Sequence, residues 1–147
     1  MSRTETQAFF DTYREAFNRL DGDAVAALWH CSSGITDSQG DDGQARLTWW
    51  SDAAPMHANH VALCELYRQA AYASADFVIQ DHVPLGPNHA FAHLQWTLKR
   101  GDGSLLQQFR TGYQLMRTAQ GPRVLLAVAY QEDNQENIAE IQPHAAQ

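Results

Sequence analysis

The spacing of apolar residues changes near position 75, and this change limits the possible folds more than any other feature of the sequence. Before it, apolar side chains recur every three or four residues, which is typical of amphipathic helices. The first such stripe comprises Phe10, Tyr13, Phe17 and Leu20. From Asp76 onward apolar residues occupy every second position, as they do in half-buried strands. A helix-rich half followed by a strand-rich half predicts an α+β domain with helices laid across one face of an antiparallel sheet.

Turn and cap residues divide the chain further. Either Ser2 with Glu5 or Thr4 with Gln7 can form the capping box of the first helix, and Asp23 is expected to cap the second. The predicted helices are residues 4–20, 24–30 and about 52–72, and the predicted strands are 31–36, 44–50, 76–83, 90–99, 105–117 and 124–131. Short links between the last four strands predict antiparallel neighbours.

Composition excludes several classes of function. A formal net charge of -7 disfavours nucleic acids and other polyanions, and no run of eighteen apolar residues is present to span a membrane. Two cysteines, Cys31 and Cys64, are too few and too far apart for structural zinc, so a reduced cytoplasmic setting is expected. We expect one domain over residues 1–133 and a polar C-terminal tail over 134–147.

The order of elements and several short patterns resemble a known superfamily. These patterns are Tyr13 to Phe17 followed by Asp21-Gly22-Asp23, then Ala26 to Trp29, Gln114 to Arg117 and Ala129 to Glu132. They are similar to the nuclear transport factor 2-like (NTF2-like) superfamily, in its SnoaL-like and ketosteroid isomerase-like branch. The resemblance covers about residues 5–133. It implies a cone-shaped α+β barrel in which three N-terminal helices pack on a curved antiparallel or mixed sheet.

The resemblance also implies a ligand pocket inside the cone and a homodimer through the convex sheet face. Aligning the strands with the isomerase pattern directs one set of side chains inward: Phe91, His93, Gln95, Thr97, Arg110, Gln114, Ala127, Ala129 and Gln131. The opposite, apolar set would then form the outer face that a second subunit covers: Leu94, Trp96, Phe109, Tyr113, Leu115 and Val128. Phe17 and Trp29 are expected to contact the ligand in this pocket.

Three residues are candidates for proton chemistry. Asp37 falls where the resemblance implies a catalytic base, although the turn that follows favours a simpler role as the residue that begins it. Tyr13 resembles a tyrosine that donates to a developing oxyanion, but its apolar stripe also suits a core residue. His93 could form an acid/base pair with Asp37, unless a shift of one residue places it on the convex face.

One departure from the resemblance argues against steroid isomerisation. The isomerases carry a protonated acid on the next-to-last strand, and Gln114 occupies the matching position here. A neutral amide donates a weaker hydrogen bond than such an acid. His57, His60 and Cys64 share one face of the third helix, yet no second pair of ligands has a matching spacing. We therefore expect no metal and no cofactor, and structural roles for these three residues.

The expected function is the binding of a small organic molecule, with possible isomerase, cyclase or dehydratase chemistry by proton transfer. Asp37 or His93 would move the proton, while Tyr13, Gln95, Gln114, Gln131 and Arg110 would contact the ligand. The alternative is a non-catalytic module that binds a ligand or a protein. A remoter alternative is an accessory subunit similar to the β subunits of ring-hydroxylating dioxygenases.

Overall fold

The computed structural model describes residues 1–37 and 43–133, which form a six-stranded sheet and the helices that cover one of its faces. In chain order the elements are α1 Arg3–Asn18, α2 Gly22–Ala26, β1 Trp29–Asp37, β2 Arg46–Trp50, α3 Ala53–Gln69, β3 Tyr72–Leu85, β4 His89–Arg100, β5 Leu105–Thr118 and β6 Gly121–Asp133. The predicted order of helices and strands is confirmed. The predicted tail, 134–147, lies outside the described residues.

Helix starts follow from side-chain caps. The Ser2 hydroxyl accepts from the Glu5 amide at 3.1 Å, and the Glu5 carboxylate accepts from the Ser2 amide at 3.3 Å. These two bonds satisfy orphan amides at the start of α1 and form the predicted capping box. Helix α2 begins earlier than predicted, because Asp21 caps it by accepting from the Ala24 amide at 3.1 Å. The prediction that Asp23 is the cap was wrong.

The sheet is mixed and is not closed into a complete barrel. Its strand order is β2-β1-β6-β5-β4-β3, and β1 with β6 is the parallel pair in an otherwise antiparallel arrangement. Because β6 lies between β1 and β5, the last described strand connects the N-terminal hairpin to the long β3–β5 meander.

The core lies between α1, α3 and one face of this sheet. The ring centroids of Phe10 and Tyr113 lie 4.8 Å apart, and those of Tyr13 and Trp96 lie 6.0 Å apart. Burial of these aromatic rings removes much apolar area from water and fixes which side of the sheet faces the helices.

This arrangement reverses the predicted faces of β4 and β5. Five residues expected on the outer face lie toward the helices instead: Leu94, Trp96, Phe109, Tyr113 and Leu115. Val128 is exposed on the outer face, as expected. The apolar surface on which the homodimer was predicted is therefore core, and the homodimer stays a prediction without that support.

Residues alternate between faces along a strand, so the neighbours of the core residues point to the outer face. The inward orientation predicted for six of them was wrong: Phe91, His93, Gln95, Thr97, Arg110 and Gln114. Ala127 and Ala129 do face the helices, as predicted. The backbone of Gln131 pairs opposite Phe109, and its side chain lies outside the described part.

Candidate functional site

A cavity of about 80 Å³ lies between the helices and the sheet. Its lining includes Tyr13 and Phe17 from α1, Trp29 and Ile35 from β1, His60, Leu63 and Tyr67 from α3, and Ala75, Trp96, Leu98, Phe109, Thr111, Tyr113, Ala127 and Ala129 from β3 to β6. None of these side chains is an aspartate, glutamate, lysine or arginine. Phe17 and Trp29, two of the expected ligand-binding residues, line this cavity, whereas Phe91, a third, does not.

Tyr13 presents a hydrogen-bond donor at this cavity. Its hydroxyl oxygen accepts from the Trp29 indole N–H at 3.3 Å, and no acceptor for its own proton lies among the described residues. Burial raises the pKa of Tyr13 well above its usual value, so the hydroxyl keeps that proton at physiological pH. A ligand in the cavity with an oxygen or nitrogen acceptor can therefore take this hydrogen bond.

Tyr113 and Trp96, which lie on the sheet, form the same kind of hydrogen bond as Tyr13 and Trp29. The Trp96 indole N–H donates to the Tyr113 hydroxyl oxygen at 3.0 Å, and the two tyrosine rings lie 6.2 Å apart. Burial also raises the pKa of Tyr113. Sequence reasoning missed this pair because the family alignment directed both residues outward. A signal was present, since every second residue from Ala90 to Leu98 is apolar, which favours that side as the buried one.

His60 is the histidine among the residues that line the cavity. It is 2% exposed, and its ring lies 4.6 Å from that of Trp29 and 5.8 Å from that of Trp50. Burial lowers its pKa to about 3, with a smaller contribution from the nearby His57, so the ring is neutral at physiological pH. Neither ring nitrogen has a hydrogen-bond partner within the described ranges. The sequence placed His60 on the correct helix face but gave it only a packing role.

Asp37 lies at the rim rather than in the lining. It follows Ile35 by two residues, so it shares the cavity face of β1, and its side chain is 14% exposed. Its carboxylate pairs with the Arg46 guanidinium at 3.0 Å across the β1–β2 ladder. Ile35, Leu63, Phe109 and Ala129 are half-buried around the cavity, which places its mouth at the end where β1 and β6 finish.

His93 is separated from Asp37 by the sheet. On the outer face its Nδ1 lies 2.9 Å from a carboxylate oxygen of Asp81, and its Nε2 forms a hydrogen bond with the Tyr130 hydroxyl. Gln95 accepts from the Gln80 amide on the same face at 2.9 Å. The predicted acid/base pair of His93 with Asp37 is therefore not formed.

The helix residues considered as metal ligands do not converge. Exposed His57 pairs with Asp23 at 2.6 Å, whereas His60 and Cys64 are buried. Among the described residues there is no group of three His, Cys, Asp or Glu side chains arranged to hold a metal ion. Within the same part of the chain, no helix is long and apolar enough to cross a bilayer.

The protein is an α+β cone with an uncharged, aromatic interior. Comparison with known protein families shows which family it belongs to. Residues 4–132 match the family described as NTF2-like protein (DUF6841), so the chain belongs to that family. No curated protein matches the chain.

Solved structures share the fold at low sequence identity. A protein of unknown function from Mycobacterium tuberculosis has a TM-score of 0.70 and 10% identity, covering 97% of this chain and 87% of that one. An NTF-2 like protein of unknown function from Shewanella oneidensis MR-1 has a TM-score of 0.67 and 15% identity over 88% and 99% of the two chains. A ketosteroid isomerase-like protein from Erwinia carotovora atroseptica SCRI1043 has a TM-score of 0.63 and 16% identity over 87% and 94%.

Proposed function

We propose that this protein binds a small uncharged organic molecule in the cavity between its helices and sheet. The Tyr13 hydroxyl carries the proposal, because it accepts from Trp29 and keeps its own proton for an acceptor inside the cavity. A buried donor without a partner is costly, and a ligand acceptor such as a carbonyl or hydroxyl oxygen would satisfy it.

The size of the cavity and the absence of charged side chains from its lining limit which ligands can bind. The cavity, at about 80 Å³, exceeds the share of one water molecule, roughly 30 Å³, and is smaller than the roughly 150 Å³ engineered cavity that takes benzene. In proportion to that cavity, the enclosed space suits about three non-hydrogen atoms, with the rest of a larger ligand at the mouth. A charged ligand is disfavoured, since no charged side chain of the lining would compensate its loss of water.

Binding is favoured over proton transfer by the groups that line the cavity. Neither Asp37 nor His93 is among them, and an imidazole with a pKa of about 3 is a weak base. Proton transfer is a second candidate, supported by the position of Asp37 on the cavity face at the mouth. It would act on a ligand that extends past Ile35, as an isomerase, cyclase or dehydratase.

The test is a titration with cyclopentanone, which has one acceptor and six non-hydrogen atoms, followed by NMR of the indole N–H groups. The Trp29 and Trp96 signals should shift and saturate, whereas the signal of exposed Trp49 on the outer face should not. Tyr13→Phe should weaken binding about fivefold to tenfold, the effect of one hydrogen bond of about 1–1.4 kcal/mol.

A matched pair of variants distinguishes binding in the cavity from binding at the protein surface. Ala129→Leu places extra carbons at the mouth and should reduce binding strongly, whereas Val128→Leu adds similar bulk to the outer face and should not. Equal effects of both variants, or no saturable shift of the Trp29 and Trp96 signals, would contradict the proposal. For the second candidate, Asp37→Asn should abolish any turnover while leaving binding intact.

A further inference from the structure

Asp81, His93 and Tyr130 form a chain of hydrogen bonds on the outer face of the sheet, on the side away from the cavity. Asp81 and His93 are opposite residues of β3 and β4, and a carboxylate oxygen of Asp81 lies 2.9 Å from Nδ1 of the imidazole. Nε2 of the same ring forms a hydrogen bond with the Tyr130 hydroxyl. A carboxylate, an imidazole and a hydroxyl joined in this order are the groups by which enzymes activate a hydroxyl nucleophile.

Two features of the sheet bring these side chains together. The register of β3 shifts between Ile79 and Asp81, and this bulge directs the Asp81 side chain to the outer face, where His93 lies. Tyr130 is on β6, so β5 separates it from His93. The residue of β5 opposite His93 is Gly112, which adds no side chain between them, and the imidazole and phenol rings approach to 5.8 Å between centroids.

The hydrogen bonds assign a direction to the proton. An ionised Asp81 can only accept, so Nδ1 carries the hydrogen of the neutral imidazole and donates it to the carboxylate. Nε2 is then the acceptor nitrogen, and the Tyr130 hydroxyl donates to it. Asp81 therefore holds His93 in the tautomer that can take the phenol proton, which is the role of the acid in a catalytic triad.

The residues around the Tyr130 hydroxyl suit an acyl-transfer reaction. Arg110 lies directly opposite Tyr130 on β5, and a guanidinium on this face can stabilise the negative charge that develops on a carbonyl oxygen under attack. Val128 precedes Tyr130 by two residues on the same face of β6 and is 40% exposed, so it offers an apolar contact to an organic group.

We propose that Tyr130 is a nucleophile toward small aryl esters of carboxylic acids, with His93 as its general base and Asp81 as a positioning residue. The phenol oxygen attacks the ester carbonyl carbon while Nε2 of His93 takes the phenol proton. The bond from that carbon to the aryl oxygen then breaks, and the leaving oxygen takes the proton from His93. Aryl esters are the expected class because a phenol displaces another phenoxide readily and an alkoxide poorly.

The second half of the reaction restores the free tyrosine. Acylated Tyr130 is itself an aryl ester, so it remains open to attack by water. His93 takes a proton from that water as it attacks the acyl carbon, and the tyrosine oxygen leaves with this proton while the carboxylic acid is released. This site lies on the opposite side of the sheet from the cavity and does not depend on ligand binding there.

The test is incubation of the protein with 4-nitrophenyl acetate, with the acetyl group located and its rate of appearance followed by peptide mass spectrometry. Tyr130 is half-buried, whereas the other four tyrosines are each at most 9% exposed, and mapping separates Tyr130 from the competing nucleophiles Cys31 and Lys99. Wild-type protein should be acetylated at Tyr130. His93→Gln should slow that acetylation about 100-fold, the lower end of the range for general base catalysis, and His89→Gln, at another exposed histidine, should not slow it.

Asp81→Asn tests positioning. It should lower the rate of Tyr130 acetylation at saturating ester about tenfold and leave the half-saturating ester concentration unchanged, because Asp81 orients His93 and does not contact the ester. Equal effects on both quantities would contradict the role given to Asp81.

Two results would overturn the whole proposal. One is the absence of acetyl-Tyr130 from wild-type protein, whether because the phenol is unreactive or because a second subunit covers it. The other is equal acetylation of Tyr130 in wild type and His93→Gln. A further measurement needs no variant: ¹⁵N NMR of the wild-type protein at pH 7.5 should show His93 with its hydrogen on Nδ1. A hydrogen on Nε2 would exclude His93 as the base.

Discussion

Replacing His60 with phenylalanine should reduce the loss of stability of this protein at acidic pH. In the folded protein, burial holds the pKa of His60 at about 3, whereas the unfolded chain has the ordinary value of 6.5. Because the folded-state pKa is the lower one, the neutral buried ring contributes its full stability above pH 6.5. That contribution is lost progressively as the pH falls from 6.5 toward 3, since only the unfolded chain binds the proton there.

The size of this free-energy effect follows from the same two pKa values. At pH 5 the unfolded chain gains about 2 kcal/mol from protonation of this ring, at 1.36 kcal/mol per pH unit below 6.5. The folded state gains almost nothing until the pH approaches 3. Wild-type protein should therefore lose about 2 kcal/mol more than His60→Phe between pH 7.5 and pH 5. At pH 7.5 the variant should be near wild-type stability, because phenylalanine leaves no buried nitrogen without a partner.

Urea unfolding at pH 7.5, 6.5, 5.5 and 5, followed by circular dichroism, measures both chains under identical conditions. The difference between them cancels the titration of the other histidines and of the carboxylates. His89→Gln is the control, since His89 is exposed at the β3–β4 turn, and it should follow the wild type at each pH. If wild type and His60→Phe lose the same free energy between pH 7.5 and pH 5, then His60 is not a neutral buried ring and the argument built on it fails.

Three other substitutions test the geometry. In Gly34→Ala the new Cβ would lie 2.5 Å from the Trp49 ring, so a loss of roughly 1–3 kcal/mol in urea unfolding is expected, and adding Trp49→Ala should recover part of it. Asn18→Ala should cost about 1–3 kcal/mol by the same assay, because the Asn18 side-chain oxygen accepts from the Tyr72 hydroxyl at 3.0 Å and the Ala75 amide at 2.7 Å. Full stability of either variant would refute the contact concerned. His93→Gln should leave cyclopentanone binding unchanged in the NMR titration, since His93 lies on the outer face. Weakened binding would contradict that position of His93.

The helices and the strand order could be predicted because they depend on local patterns. Ser2 with Glu5 marks the start of α1, and turn residues separate the four long strands. The parallel pairing of β1 with β6 lies beyond such reasoning, since it joins residues about ninety positions apart. In the sequence it was implied only by the family resemblance, which described the sheet as antiparallel or mixed.

The faces of β4 and β5 were predicted wrongly for a physical reason. Leu94, Trp96 and Leu98 alternate with Gln95 and Thr97, and the larger apolar set belongs against the helices. A distant alignment assigned the polar set to the pocket, so that the apolar set required a second subunit to cover it. Burial within one chain satisfies the same pattern directly, and it brings Trp96 to the cavity in place of His93.

The role of His60 could not be read from the sequence. Met56, His60, Leu63 and Tyr67 share a stripe of α3, which indicates burial but does not show whether a buried imidazole has a partner. That depends on side chains from β1 and β2, such as Trp29 and Trp50, which approach the ring only in the folded chain.

The central position of β6 has a consequence for how the chain folds during synthesis. Before residues 121–133 leave the ribosome, the β1–β2 hairpin and the β3–β5 meander have no strand to join them, and the cavity lacks the wall that Ala127 and Ala129 provide. Pairing of Ile35 with Ala127 must then close a loop of about ninety residues, a long-range step of the kind that slows folding. Until that step the edges of β1 and β5 that pair with β6 lack their partner, so this protein is more vulnerable to aggregation before β6 emerges than after it.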